Sequence, residues 1–157
     1  MRRVILVGPG TSGKTTLAKR MAERGGKIAV SYTTRPMREG EVNGKDYNFI
    51  PEEAFLSLLE RNRFLEWAEF NGWKYGTALQ SWDYYDVFIM TPTGLAQLSP
   101  IMRAEAFVIY LNPPRHVLRD RLAKRLDADS AARRRAADIQ DFTGFIDFDM
   151  EVTTACF

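Results

Sequence analysis

Short unbroken apolar runs alternate along the chain with stretches in which apolar residues recur every three or four positions. The first run, Val4-Ile5-Leu6-Val7, predicts a strand over about 3–7, buried on both faces as in a parallel sheet. A helix is predicted from Lys14 to about Arg24, with Leu17, Ala18 and Met21 on one side and Gly25-Gly26 stopping it. Residues 28–34 and 47–50 read as strands, and Pro51 opens a helix to about Arg61 with Phe55, Leu58 and Leu59 inward. Phe64–Phe70 and Trp73–Ala78 alternate like strands around Asn71-Gly72, a dipeptide suited to a hairpin turn. A strand over 86–91, a helix over 94–104 interrupted by Pro100, and a buried strand over 106–111 follow. Pro113-Pro114 opens a helix with Val117, Leu118 and Leu122 as its apolar stripe. A break at Asp127–Ser130 precedes a basic helix from Ala131 to about Asp141, and the tail from Phe145 holds one more strand. Alternating strands and helices with a β-rich insertion over 40–78 predict an α/β fold with a parallel sheet core.

Composition narrows this picture. With 157 residues, one domain is expected. The 22 basic and 20 acidic side chains leave a net charge of +2, which argues against a dedicated nucleic-acid or membrane-surface protein. The cations are clustered at 115–135 and at Arg35 and Arg38, which suggests small anionic ligands. A single Cys156 excludes an internal disulfide framework and suits a reducing compartment. No signal peptide or membrane-length apolar run is visible, so a cytoplasmic protein is expected.

The sharpest chemical signal lies between the first strand and the first helix. Gly8-Pro9-Gly10-Thr11-Ser12-Gly13-Lys14-Thr15, followed by Thr16, has the spacing of a phosphate-binding loop. Gly8 and Gly13 let the backbone curl so that its N–H groups face phosphate oxygens, and the next helix adds its positive end. Lys14 is expected to reach the β/γ-phosphates of a nucleotide, and the Thr15 hydroxyl to bind Mg²⁺. A second stretch, Ser31 to Tyr47, sets Arg35 and Arg38 three residues apart beside hydroxyls and a tyrosine. By spacing alone it fits either a solvated basic turn or a clamp for a second phosphate.

That stretch closely resembles the monophosphate-binding segment of guanylate kinases. The resemblance continues through Phe64-Leu65-Glu66-Trp67-Ala68-Glu69-Phe70 and Tyr75-Gly76-Thr77, in the family's order and with similar spacing. It implies a P-loop kinase with three parts. These are a core over about 1–34 and 79–157, a monophosphate-binding subdomain over 35–78, and a helical lid near 121–135. Arg35, Arg38, Tyr47 and Tyr75 match residues that bind the acceptor phosphate, while Ser31, Glu66 and Thr77 match those that read guanine. Guanine offers N1–H and N2–H₂ as adjacent donors, and one carboxylate accepts both. Arg121 and Arg125, four apart and so on one helix face, match lid arginines. Arg134 is the preferred match, among Arg133, Arg134 and Arg135, to a further arginine near the phosphates. With Lys14 and Arg35 these three would stabilise the transferring phosphoryl group. Glu41 and Asp46 are expected to orient the arginines.

The chain also departs from the family. Ile89 and Thr91 stand where guanylate kinases usually carry an Asp-x-Asp pair, so metal support falls more heavily on Thr15, with Thr91 or Thr93 able to hydrogen-bond a metal-bound water or the sugar. The segment after Thr77 is short, and no closing helix follows the last strand. These features suggest a reduced member, as in viral or other compact genomes. The expected activity is transfer of the ATP γ-phosphoryl to GMP or dGMP with Mg²⁺, by a monomer or homodimer. The alternatives are a P-loop kinase acting on another nucleotide or sugar phosphate, and a non-catalytic module binding phosphopeptides.

Overall fold

A computed structural model describes residues 2–125 and 131–154. Strand β1 (Arg3–Val7) lies inside a sheet, flanked by β6 (Val87–Ile89) and β7 (Ala106–Leu111), and β8 (Met150–Val152) completes the order β6-β1-β7-β8. All three pairings are parallel. Burial explains the unbroken apolar run of β1. Ile5 and Val7 pack with Phe88 and Val108 on one face, while Leu6 meets Ala18, Ile109 and Leu111 on the other. Helix α1 (Lys14–Glu23) supplies Ala18.

A second sheet stands beside the first. Its strands β2 (Tyr32–Thr33), β3 (Asn48–Phe49), β4 (Phe64–Phe70) and β5 (Trp73–Ala78) run in the order β3-β2-β5-β4. Helix α2 (Glu52–Glu60) precedes β4 and buries Phe55, whose ring stacks on Phe64 at 4.5 Å. The β4–β5 turn takes φ of 55° at Asn71 and 81° at Gly72, the left-handed pair that a tight hairpin demands.

Two expectations change. The strand predicted over 28–34 is two pieces: Ile28 bridges to Val87 at the core sheet, and only Tyr32–Thr33 belongs to the second sheet. Its backbone hydrogen bonds are shared between two sheets, so no single strand forms. The helix predicted over 94–104 is two helices, α4 (Pro92–Leu95) and α5 (Pro100–Glu105). Pro100 starts a helix here, because Ser99 caps it by accepting from the Met102 N–H. A one-turn helix, α3 (Ser81–Tyr84), occupies the short segment before β6.

Helix α6 (Arg115–Ala123) and helix α7 (Ala131–Phe142) follow β7, and the predicted break at Asp127–Ser130 lies outside the described residues. The C-terminal end of α7 is fixed by aromatic packing. Phe142 lies parallel to Tyr110 of β7 at 5.6 Å, and Phe145 and Phe148 close around the same ring. No described helix is long and apolar enough to cross a membrane.

Candidate active site

The loop between β1 and α1 has the backbone a phosphate loop requires. Gly13 takes φ of 101° immediately before the helix, and no described side chain caps that end. The first-turn N–H groups therefore project forward from a positive helix end. Gly8 is constrained by space, since a Cβ there would lie 2.6 Å from the Leu111 carbonyl oxygen. Ser12 is fully buried, whereas Thr15 and Thr16 are exposed at the start of α1. Thr11 adopts φ of 65° and its hydroxyl donates to the Leu118 carbonyl at 3.2 Å. Lys14 folds back onto its own loop, donating to the carbonyls of Gly8 and Pro9, the latter at 2.9 Å. Burial lowers its pKa to about 8, helped by Arg125 and Arg134 and opposed by Asp138 and Asp141.

Across the cleft the second sheet assembles a cationic and aromatic cluster. Arg35, 4% exposed, forms a two-pronged pair with Glu41 at 3.0 and 2.8 Å. The same carboxylate accepts from the Arg38 N–H at 2.7 Å. Burial works against charge on both partners, but the pairing wins: Glu41 is held below, and Arg35 above, its ordinary pKa. The Arg35 guanidinium lies 5.4 Å over the Tyr47 ring, which meets Tyr75 edge-on at 5.9 Å. Burial pushes the Tyr47 phenol up to about 12, so it is a neutral donor at neutral pH. Asp46 does not join this network. It accepts from Val42 N–H and faces Lys19 at 3.8 Å, whereas Glu41 holds Arg35.

Deeper in the cleft, Glu66 is buried opposite Thr77 on the paired strand β5. Burial raises its pKa to about 7, against hydrogen bonds from the Thr77 hydroxyl and backbone N–H. The Thr77 hydroxyl also lies 3.0 Å from that of Ser31, so the three residues matched to guanine reading converge. Gly94 of α4 closes the back of this pocket, because a Cβ there would sit 2.1 Å from Glu66 Oε2. Nothing in the sequence marked that contact.

Helix α6 brings Arg121 to the loop, where its guanidinium donates to the Thr11 carbonyl at 3.0 Å. Arg125 does not share its helical face as the spacing suggested. The helix ends at Ala123, and the Arg125 N–H reaches back only three residues to Leu122. Arg125 still borders the same cleft as Arg121, Arg134 and the loop. Arg134 is 7% exposed and packs against Gly10, within 2.8 Å of where a Cβ would stand. Arg133 points elsewhere, to the hairpin carbonyl of Asn71 at 3.4 Å.

Ile89 and Thr91, at the end of β6, line the cleft. Thr91 is engaged as the cap of α4, accepting from the Gly94 N–H at 3.0 Å, and the Thr93 hydroxyl faces Asp141 at 3.5 Å. Two carboxylates overlooked in the sequence enter here from α7, namely Asp138 and Asp141. Their spacing of four and seven from Arg134 puts them on its helical face, the one signal that could have found them.

Comparison with known proteins agrees with this geometry. The family profile described as Guanylate kinase matches residues 1–154. The chain is 39% identical over 144 residues to the guanylate kinase of Oleidesulfovibrio alaskensis, covering 86% of this chain and 70% of that one. It is 34% identical over 161 residues to that of Rubrobacter xylanophilus, covering 96% and 84%. The crystal structure of guanylate kinase from Anaplasma phagocytophilum superposes with a TM-score of 0.74 at 27% identity, over 98% of this chain and 76% of that one. The chain belongs to the guanylate kinase family.

Proposed function

We propose a division of labour among these residues for the ATP-dependent phosphorylation of GMP to GDP that the family performs. The loop N–H groups from Gly8 to Thr16, with Lys14, hold the ATP phosphates. Lys14 leaves the Gly8 and Pro9 carbonyls to do so. Arg35, already oriented by Glu41, and Arg38 hold the GMP phosphate together with Tyr47 and Tyr75. Glu66 accepts from guanine N1–H and N2–H₂ while Thr77 and Ser31 fix its position. An oxygen of the GMP phosphate then attacks the γ-phosphorus, the bond to the β-bridging oxygen breaks, and ADP leaves. Arg121, Arg125 and Arg134 border the path and spread the charge on the transferring group. Deoxy-GMP presents the same base and phosphate to these residues.

The family generally uses Mg²⁺, and the donor chemistry fits. The exposed Thr15 hydroxyl is a hard oxygen ligand at the loop, of the kind Mg²⁺ takes beside phosphate oxygens and waters. When bound, the ion would supply positive charge that offsets the charge of the ATP phosphates. Closure around both nucleotides excludes water, which otherwise competes as acceptor.

The observation that carries this reading is one cleft running from Lys14 past Arg35 and Arg38 to Glu66. Lys14→Met is expected to lower turnover by about a hundredfold or more with the fold retained, measured by a coupled ADP assay. Turnover near that of the unaltered chain would contradict the loop assignment.

A further inference from the structure

The donor site contains an anion of its own. Both carboxylate oxygens of Asp138 lie 3.2 Å from the backbone nitrogen of Gly10, the third residue of the phosphate loop, whose N–H they share. Asp138 is 8% exposed and stands among three cations: Lys14 and Arg134 act on it most strongly, Arg125 less so. Burial raises its pKa, while the Gly10 N–H and these cations work to keep it ionised. Its place is fixed one helical turn away on either side. Phe142 is anchored on Tyr110, and Arg134 packs on Gly10 where no side chain intervenes. A carboxylate resembles a phosphate face, with two oxygens and a negative charge presented to a loop N–H.

We propose that Asp138 is an internal phosphate surrogate, occupying the Gly10 N–H and neutralising the loop cations until the ATP triphosphate displaces it. Asp138 then sets donor affinity without touching the reacting atoms. It restrains Lys14 and Arg134 from capturing other anions, and it makes donor binding an exchange of one anion for another. The inference rests on the loop holding the ATP phosphates. A carboxylate serving only to tether α7 makes the opposite prediction, because its loss would loosen Arg134 and weaken anion binding.

Isothermal titration of Mg-ATP and of inorganic tripolyphosphate into the intact chain, Asp138→Asn and Asp138→Ala separates these outcomes. Asparagine keeps the size and an accepting oxygen while removing the charge. Both variants are expected to bind both ligands about tenfold tighter, the scale of one charge-assisted hydrogen bond. GMP binding alone should be unchanged, which also reports an intact fold. Unchanged or weaker tripolyphosphate binding by Asp138→Asn overturns the proposal while leaving the loop assignment standing. An unaltered chain that binds neither ligand overturns both. A second measurement needs no variant. The carboxylate ¹³C resonance of Asp138 should shift as tripolyphosphate saturates the unaltered chain, and a resonance that stays in place is contrary to displacement.

Discussion

In the proposed base-reading role, the buried Glu66 carboxyl would couple recognition to pH. Guanine needs an acceptor pair, which only the ionised form supplies, yet burial places the pKa at about 7 in the protein without nucleotide. GMP affinity should therefore rise by about tenfold from pH 6 to pH 8, as the ionised fraction grows. Glu66→Gln should flatten that profile and weaken GMP by about ten- to a hundredfold, with AMP unaffected, since an amide cannot accept both donors. An unchanged preference for GMP over AMP would remove the base-reading role. The stability sign runs the other way. A carboxyl raised above its unfolded value stabilises the fold fully below its unfolded pKa of about 4.5, and loses that contribution as pH rises through about 7. Glu66→Gln should accordingly raise the thermal midpoint at pH 8 more than at pH 5.

Among the elements, α4 and β4 decide how the pocket around Glu66 is held. The Gln97 amide, just beyond α4, accepts from the Trp67 N–H at 3.1 Å and donates to the Trp67 carbonyl, acting as a strand partner for β4 beside Glu66. Gly94 lets α4 approach the carboxylate itself. Gly94→Ala should swing Glu66 aside and raise the GMP Michaelis constant about tenfold, with little change in the ATP constant or thermal midpoint. Equal losses for both nucleotides would point to general misfolding. Local elements were legible in the sequence for local reasons: the β1 apolar run, the Asn71-Gly72 turn and the glycine loop carry their conformations within a few residues. Tertiary choices were not. Hydropathy could not assign 28–34 to two sheets, and Pro100 read as an interruption until Ser99 was seen to cap the helix it starts. The site residues clustered where ordered motifs carried them. Asp138 was missed because a charged helix does not announce which face meets the loop.

Across the whole molecule, a parallel sheet carries the phosphate loop and a mainly antiparallel sheet carries the Arg35 cluster, so under the proposed division of labour the two nucleotides would approach from opposite walls of one cleft. Helix α7 touches both walls, through Asp138 at Gly10 and Arg133 at the hairpin. In the proposed lid role, movement of this helix would be felt at both sites together. The near-neutral net charge of +2 is compatible with this proposed division, in which the clustered cations would meet the phosphates. The most direct test is phosphoryl transfer from Mg-ATP to GMP, dGMP, IMP, AMP and dTMP in one coupled assay. GMP and dGMP should be the best acceptors, IMP slower by about tenfold for want of the N2 donors, and AMP and dTMP not detectably used. Transfer to AMP or dTMP as fast as to GMP would contradict the account.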